Sequence, residues 1–224
     1  MQTAVLLSGG LDSAVLLAEE AARGAVQPIY ISAGLAWESA ERATVAALLE
    51  SGAVEGDVAP LVALSVDMRD VYSATHWAVT GAPPGYHTPD EDVYLPGRNI
   101  ILLGKAAVYC AAAAIDRIVL GTLAHNPFPD ATPEFRDALA HALSLGLAHR
   151  LRIDAPFAGV GKAEIVRRGV ALGVPFALTL SCMKGGPVPR HCGVCSKCRE
   201  RHDAFLEAGV DDPTDYVDSR FVRA

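Results

Sequence analysis

Two clusters in this chain carry residue types that can do chemistry. The first is Ser8-Gly9-Gly10-Leu11-Asp12-Ser13. It follows a short apolar run, Thr3 to Leu7, and precedes a helical pattern from Leu11 to Ala22, so it reads as the turn between a buried strand and a helix. Two glycines let a ligand approach the backbone, unpaired N–H groups converge there, and a helix N-terminus carries partial positive charge. Together these hold phosphate. Ser8 and Ser13 add hydroxyl donors. Asp12 repels a bare phosphate, so it requires either a Mg²⁺ between the two or a carboxylate turned back to cap the helix. An ordinary βα turn with an Asp cap is the plain structural alternative. The spacing is neither Gly-x-x-x-x-Gly-Lys-Ser/Thr nor Gly-x-Gly-x-x-Gly, which argues against a P-loop kinase and against a dinucleotide-dependent dehydrogenase.

The second cluster is Cys182, Cys192, Cys195 and Cys198, spaced C-x9-C-x2-C-x2-C. Cysteines two residues apart form knuckles whose thiolates converge on one ion, and four sulfurs around a tetrahedral Zn²⁺ make a closed, structural site. Lys184, Arg190, Lys197, Arg199 and Arg201 surround the cluster in sequence and would balance the net charge of four thiolates and one Zn²⁺. A redox-active Cys192–Cys195 pair and an iron–sulfur cluster are the alternatives. His191 and His202 could each replace a thiolate, although histidines beside such clusters are more often solvated. Cys110, inside an apolar helical pattern, reads as a core residue.

The elements that must position these clusters alternate along the chain. Apolar runs at Pro28 to Ser32 and around Leu61 to Val66 flank a helical pattern from about Trp37 to Ser51. Val71 to Asp92 sustains neither period and reads as an irregular excursion over a sheet edge. Asn99 to Ile115 is apolar almost all round, as expected of a packed helix. Arg117 to Gly121 then reads as strand, Pro133 to Leu147 as helix, Leu151 to Ala155 as strand and Lys162 to Leu172 as helix. Strand and helix in alternation predict βαβ crossovers, hence a doubly wound α/β fold with a parallel sheet over residues 1–180. Residues 181–224 would form a zinc knuckle, a short helix near Lys197 to Leu206 and a frayed polar tail. Arg98 and Asn99 at a helix start could donate to an anion or form a salt-bridged cap. Lys162 could reach a polyphosphate or stay solvated.

With 224 residues, 19 Lys+Arg against 26 Asp+Glu and a formal net charge of −7, the chain is too acidic for a protein that mainly grips nucleic-acid phosphates. Its apolar runs are shorter than a bilayer needs, and no basic leader precedes an apolar stretch at the start. Small-molecule substrates, no membrane and a reducing, cytoplasmic setting are expected.

Ser-Gly-Gly-Leu-Asp-Ser after an opening strand resembles the pyrophosphate loop of the ATP-pyrophosphatases, an adenylate-forming group with an adenine nucleotide alpha hydrolase-like fold. With the late cysteine cluster, the resemblance narrows to the 7-cyano-7-deazaguanine synthase family of queuosine biosynthesis. It extends over most of the chain. Leu95-Pro96-Gly97-Arg98-Asn99, Pro129-Asp130 with Pro133-Glu134-Phe135, Ala155-Pro156, Lys162-Ala163-Glu164-Ile165-Val166 and Leu172-Gly173-Val174-Pro175 follow the family's order, and Ser181-Cys182 with Cys192-Gly193-x-Cys195-x-x-Cys198 closes it. Two segments depart from it. Ile31 to Glu38 stands where the family usually shows Asp-Tyr-Gly-Gln-Arg-His, and Leu123 to Thr132 stands where it shows Ser-Gly-Tyr-Pro-Asp-Cys-Arg.

The resemblance implies an ATP-dependent, C–N bond-forming enzyme that takes 7-carboxy-7-deazaguanine and ammonia to a nitrile through an adenylated intermediate, and implies a homodimer. It assigns Ser8, Gly9, Gly10, Leu11, Asp12 and Ser13 to ATP with its Mg²⁺. Asp12, Lys162 and Arg98 would then serve catalysis and Cys182, Cys192, Cys195 and Cys198 would hold structural Zn²⁺; within that scheme His125, Asn126, Asp130, Glu134 and Phe135 are candidates for contacting the acceptor, and Phe135 could equally be core. Another ATP-dependent amide ligase, a sulfur transferase and a non-enzymatic nucleotide-binding zinc module are the competing readings. Sulfur transfer is disfavoured, because once zinc takes four cysteines only Cys110 is left.

Overall fold

The computed structural model describes residues 2–222. Five parallel strands, β1 (Thr3–Leu6), β2 (Val26–Ser32), β3 (Val62–Ser65), β4 (Arg117–Val119) and β5 (Arg152–Asp154), form one sheet in the order β3-β2-β1-β4-β5. Thr3 pairs with Val26 on one side and with Arg117 on the other. The order therefore reverses at β1, and a crevice opens beyond the carboxyl ends of β1 and β4.

The central strands lack polar alternation because helices cover both faces. On one face Val5, Tyr30 and Val119 pack with α1 (Leu11–Ala21), α2 (Glu38–Glu50) and α6 (Lys162–Ala171), through residues such as Leu16, Leu48 and Ile165. On the other, Ala4, Ile29, Ile118 and Ile153 meet α4 (Arg98–Ala112) and α5 (Pro133–Leu147). Cys110 is fully buried there, as its apolar setting predicts. The sequence pattern for α4 runs to Ile115, but the helix ends at Ala112. Ala114 turns left-handed and the Ile115 N–H closes on the Cys110 carbonyl, because the chain must swing into β4 two residues later.

The excursion before α4 is mostly irregular, as expected, with one short helix, α3 (Trp77–Thr80), and a 3₁₀ turn at Asp90–Val93. It has a core of its own: Trp37 stacks on Trp77 at 5.5 Å, beside Leu35, Met68, Tyr72 and Leu95.

The last helix, α7 (Ser196–Ala208), sends Ala204 and Phe205 into the main core, where Phe205 meets Phe176 edge-on at 5.3 Å. The tail that follows is not frayed. The Val217 N–H donates to the His191 carbonyl and that of Asp218 to the Cys192 carbonyl, Tyr216 packs on His191, and the Tyr86 hydroxyl donates to the Phe221 carbonyl. Gly193 makes this possible. It sits at φ +77°, and a Cβ there would lie 1.8 Å from the Asp218 carbonyl oxygen. The contacts that hold the tail are mostly backbone ones, which its polar composition does not reveal.

Candidate active site

The Ser8–Ser13 loop lies at the reversal point of the sheet. Gly9 adopts φ +77°, and a Cβ would press on Val45 at 3.1 Å and Thr44 at 3.2 Å, so only glycine fits without strain. The Gly9 carbonyl accepts from the Leu180 N–H at 2.8 Å, which pins the loop to the start of the C-terminal segment. Gly10 precedes α1 and no side chain caps the helix, so its first N–H groups stay available for an anion. Ser13 Oγ donates to the Gly10 carbonyl at 3.0 Å and lies 3.2 Å from Ser8 Oγ. Gly121, just past β4, brings its backbone against Asp12 from the other side of the crevice.

Asp12 does not cap α1. Its Oδ2 accepts from Lys162 Nζ at 3.2 Å, and its Oδ1 is buried with no partner among the described residues. Lys162 Nζ also donates to Glu200 Oε1 at 2.6 Å, and Lys197 Nζ donates to Glu200 Oε2 at 2.6 Å. Burial pushes the Asp12 carboxyl up, with Lys162 opposing. For Lys162 burial acts downward, but Asp12 and Glu200 outweigh it and hold the ammonium firmly protonated. Burial likewise acts upward on Glu200, and Lys162 and Lys197 overcome it, so that carboxylate stays charged.

Across the crevice Arg98 opens α4 after the left-handed Gly97, and its Nε is buried without a partner among the described residues. Asp130 supplies the cap: its Oδ2 accepts from the Asn99 N–H at 3.1 Å, and Asn99 Nδ2 donates to its carbonyl at 3.1 Å. Glu41 is buried on α2, with the Tyr30 hydroxyl donating to its Oε2 at 3.0 Å. Burial raises the Glu41 carboxyl to about 7 against the pull of Arg98 and Tyr30.

These groups line one continuous cleft. A pocket of about 250 Å³ runs from Ser8, Gly10 and Ser13 to Tyr30, Glu41 and Arg98. A wider one of about 570 Å³ shares Asn126 with it and adds His125, Lys162, Lys197 and Glu200. A third, of about 160 Å³, reaches from Arg98 and Asn99 to Asp130, Met183 and the stacked pair Tyr94 and Phe128, whose rings are 5.0 Å apart. Arg98 borders all three.

Most of the residues expected at the site thus meet there: Ser8, Gly10, Leu11, Asp12, Ser13, Arg98, Lys162, His125 and Asn126 line it, Gly9 shapes the loop, and Asp130 lines its third lobe. Glu134 is exposed on the first turn of α5 and Phe135 packs into the α4–α5 core, so neither is brought to the cleft.

The four cysteine sulfurs lie within 4.8 Å of one another, with Cys182–Cys195 and Cys192–Cys198 each at 3.9 Å. Those separations are far too long for a disulfide and close to the edge of about 3.8 Å that a tetrahedron of about 2.3 Å metal–sulfur bonds requires. The residues present therefore fit a metal ion. Basic side chains around the cluster hydrogen-bond to other groups, while the Arg201 charge still acts on Cys198. Arg199 binds the Tyr86 and Thr88 carbonyls and Asp90, Arg201 is buried among Thr179, Thr214 and the Phe176 carbonyl, and Lys197 serves Glu200. The Lys184 and Cys192 backbone N–H groups, each 3.5 Å from Cys182 Sγ, face the sulfur instead. His191 is buried rather than solvated. Its Nε2 accepts from the Ser181 N–H, and burial drives the imidazole down to about 3, so it is neutral.

The family model for the queuosine biosynthesis protein QueC matches residues 2–209. The chain belongs to the QueC family. A 7-cyano-7-deazaguanine synthase of Methanoculleus marisnigri is 35% identical over 94% of this chain and 96% of its own length, and one of Ralstonia pickettii is 36% identical over 95% and 97%. Among solved structures, a predicted subunit of tRNA methyltransferase from Methanocaldococcus jannaschii is similar at TM-score 0.46 and 17% identity, covering 75% of this chain and 73% of that one.

The segment of this QueC family member that departs after β2 turns inward. Ala33, Leu35 and Trp37 are buried, and the Glu38 carboxylate folds back onto Ser32 Oγ and the Ala33 and Gly34 N–H groups. The other divergent segment forms the cleft wall at His125, which is left-handed at φ +59°, and at Asn126 and Phe128. Sequence reasoning missed Tyr30, Glu41 and Glu200. Glu41 left a signal, since it falls on the same helical face as Val45 and Leu48, where a carboxylate is out of place. Glu200 left none.

Proposed function

We infer that this QueC family member is an ATP-dependent 7-cyano-7-deazaguanine synthase. The carboxylate oxygen of 7-carboxy-7-deazaguanine attacks the α-phosphorus of ATP and releases pyrophosphate. Ammonia then displaces AMP from the acyl adenylate to give the amide. The amide oxygen attacks the α-phosphorus of a second ATP and releases a second pyrophosphate, and loss of AMP and two protons then leaves the nitrile. No side chain forms a bond to the substrate in this scheme, so the protein's contribution is alignment and charge stabilisation.

The supporting observation is the convergence, at one crevice, of the uncapped start of α1, the unpartnered Asp12 Oδ1 and two cations, Lys162 and Arg98. The Ser8–Ser13 loop takes the β- and γ-phosphates, and Lys162 and Arg98 face the charge that grows on the departing pyrophosphate. Asp12 would hold Mg²⁺ through its bare oxygen, and that ion would neutralise phosphate charge when bound. The acceptor enters along His125 and Asn126, with its ring toward Tyr94, Phe128 and Asp130 in the third lobe. Asp130 also fixes Asn99 and hence the start of α4. Cys182, Cys192, Cys195 and Cys198 would hold Zn²⁺ as a closed structural site. No helix among the described residues is long and apolar enough to cross a membrane. We also propose a cytoplasmic homodimer.

Mass spectrometry of the products from protein, ATP, Mg²⁺, ammonium and 7-carboxy-7-deazaguanine tests the reading. A nitrile with two AMP formed per turnover is expected. An amide with a single AMP, or an unaltered acceptor, would overturn it.

A further inference from the structure

Glu200 takes no part in the scheme above, yet it lies in the same cleft. Its carboxylate bridges two ammoniums, with Lys162 on Oε1 and Lys197 on Oε2, each at 2.6 Å, and its side chain is 24% exposed. A carboxylate beside a triphosphate site repels the ligand, which works against binding. Its geometry points to what it provides in return. Lys162 has a long, flexible stem and three N–H donors. With Asp12 as its sole anionic partner the ammonium would settle on that carboxylate, and the neutral pair would withdraw both groups from the nucleotide. Glu200 competes for the same ammonium and holds it at 2.6 Å, closer than Asp12 at 3.2 Å. One donor of Lys162 then remains for phosphate, and Asp12 keeps an oxygen bare.

We propose that Glu200 is a positioning residue, holding Lys162 Nζ at the pyrophosphate end of the cleft where leaving-group charge develops. Glu200 stands two residues beyond Cys198 on α7, so the cysteine-bound segment supplies one of the two anchors of this cation. The inference rests on the nucleotide reading of the cleft. It adds a residue outside both sequence clusters whose effect passes through another side chain.

The test is a double-mutant cycle with Glu200→Gln and Lys162→Met. Glu200→Gln is expected to lower kcat about tenfold while KM for ATP moves less than about twofold, because the interaction matters most in the transition state. Calorimetry with magnesium pyrophosphate gives a reading that needs no acceptor, so it stands even if the acceptor assignment fails. Glu200→Gln should weaken pyrophosphate binding about fivefold when Lys162 is present. In the Lys162→Met background it should leave binding unchanged or strengthen it, since only the repulsive carboxylate is then removed. The same effect in both backgrounds, or a kcat within about twofold of wild type, would overturn the proposal. Glu200→Asp keeps the charge but withdraws it by one methylene. It should show the same signs at smaller size, and it decides the matter if the Gln variant does not fold.

Discussion

Replacing Glu41 by Gln should change the pH dependence of stability by an amount the structure sets. Glu41 is buried on α2 against Tyr30, with Arg98 and Glu38 as its charged neighbours. Burial raises its carboxyl from the ordinary 4.5 to about 7, and Arg98 and Tyr30 only partly offset that cost. Below pH 4.5 the group is protonated whether the chain is folded or not, and it makes no difference. Between 4.5 and about 7 the unfolded chain releases a proton that the folded protein retains, so stability falls as pH rises. Above 7 the full cost applies, about 3 kcal/mol for that interval. A Gln side chain still offers a carbonyl to the Tyr30 hydroxyl but cannot ionise. The variant should match wild type near pH 4.5 and exceed its stability by up to about 3 kcal/mol at pH 8. Urea unfolding of both proteins at pH 5, 6, 7 and 8 measures the difference, in which all other titrations cancel. A difference that stays constant across that range would refute the assignment of a raised Glu41.

Two other substitutions address the loop and the cysteine centre. Gly9→Ala forces a left-handed alanine at a cost of about 1–2 kcal/mol, in addition to its contacts with Val45 and Thr44. A folded protein with ATP turnover reduced at least about tenfold is expected, checked by circular dichroism beside pyrophosphate release. Cys195→Ser should remove bound metal and lower the melting temperature, whereas Cys110→Ala should keep the metal content of wild type and lose only about 1–2 kcal/mol of packing. Elemental analysis with thermal melts decides it, and equal metal in both variants would contradict the four-cysteine site.

Local chemistry and periodicity made much of this protein legible without a structure. Ser8 to Ser13 stood out because paired glycines between hydroxyl residues at a strand–helix turn suit a phosphate, although an ordinary capped turn reads the same way, and the cysteine spacing stood out because knuckles two residues apart let thiolates converge on one ion. Apolar strands alternating with amphipathic helices determined the parallel sheet, since each element must bury one face or both. Tertiary structure alone decided which distant groups meet. Glu200 reaches Lys162, and Asp130 reaches Asn99, across sequence gaps that no local pattern records. It also decided that Glu134 stays at the surface, that Phe135 goes to the core, and that the polar tail closes over Cys192. Periodicity reports which face of an element is covered but not by what, and the strength of an ion pair or the height of a pKa depends on that partner and on the water it excludes.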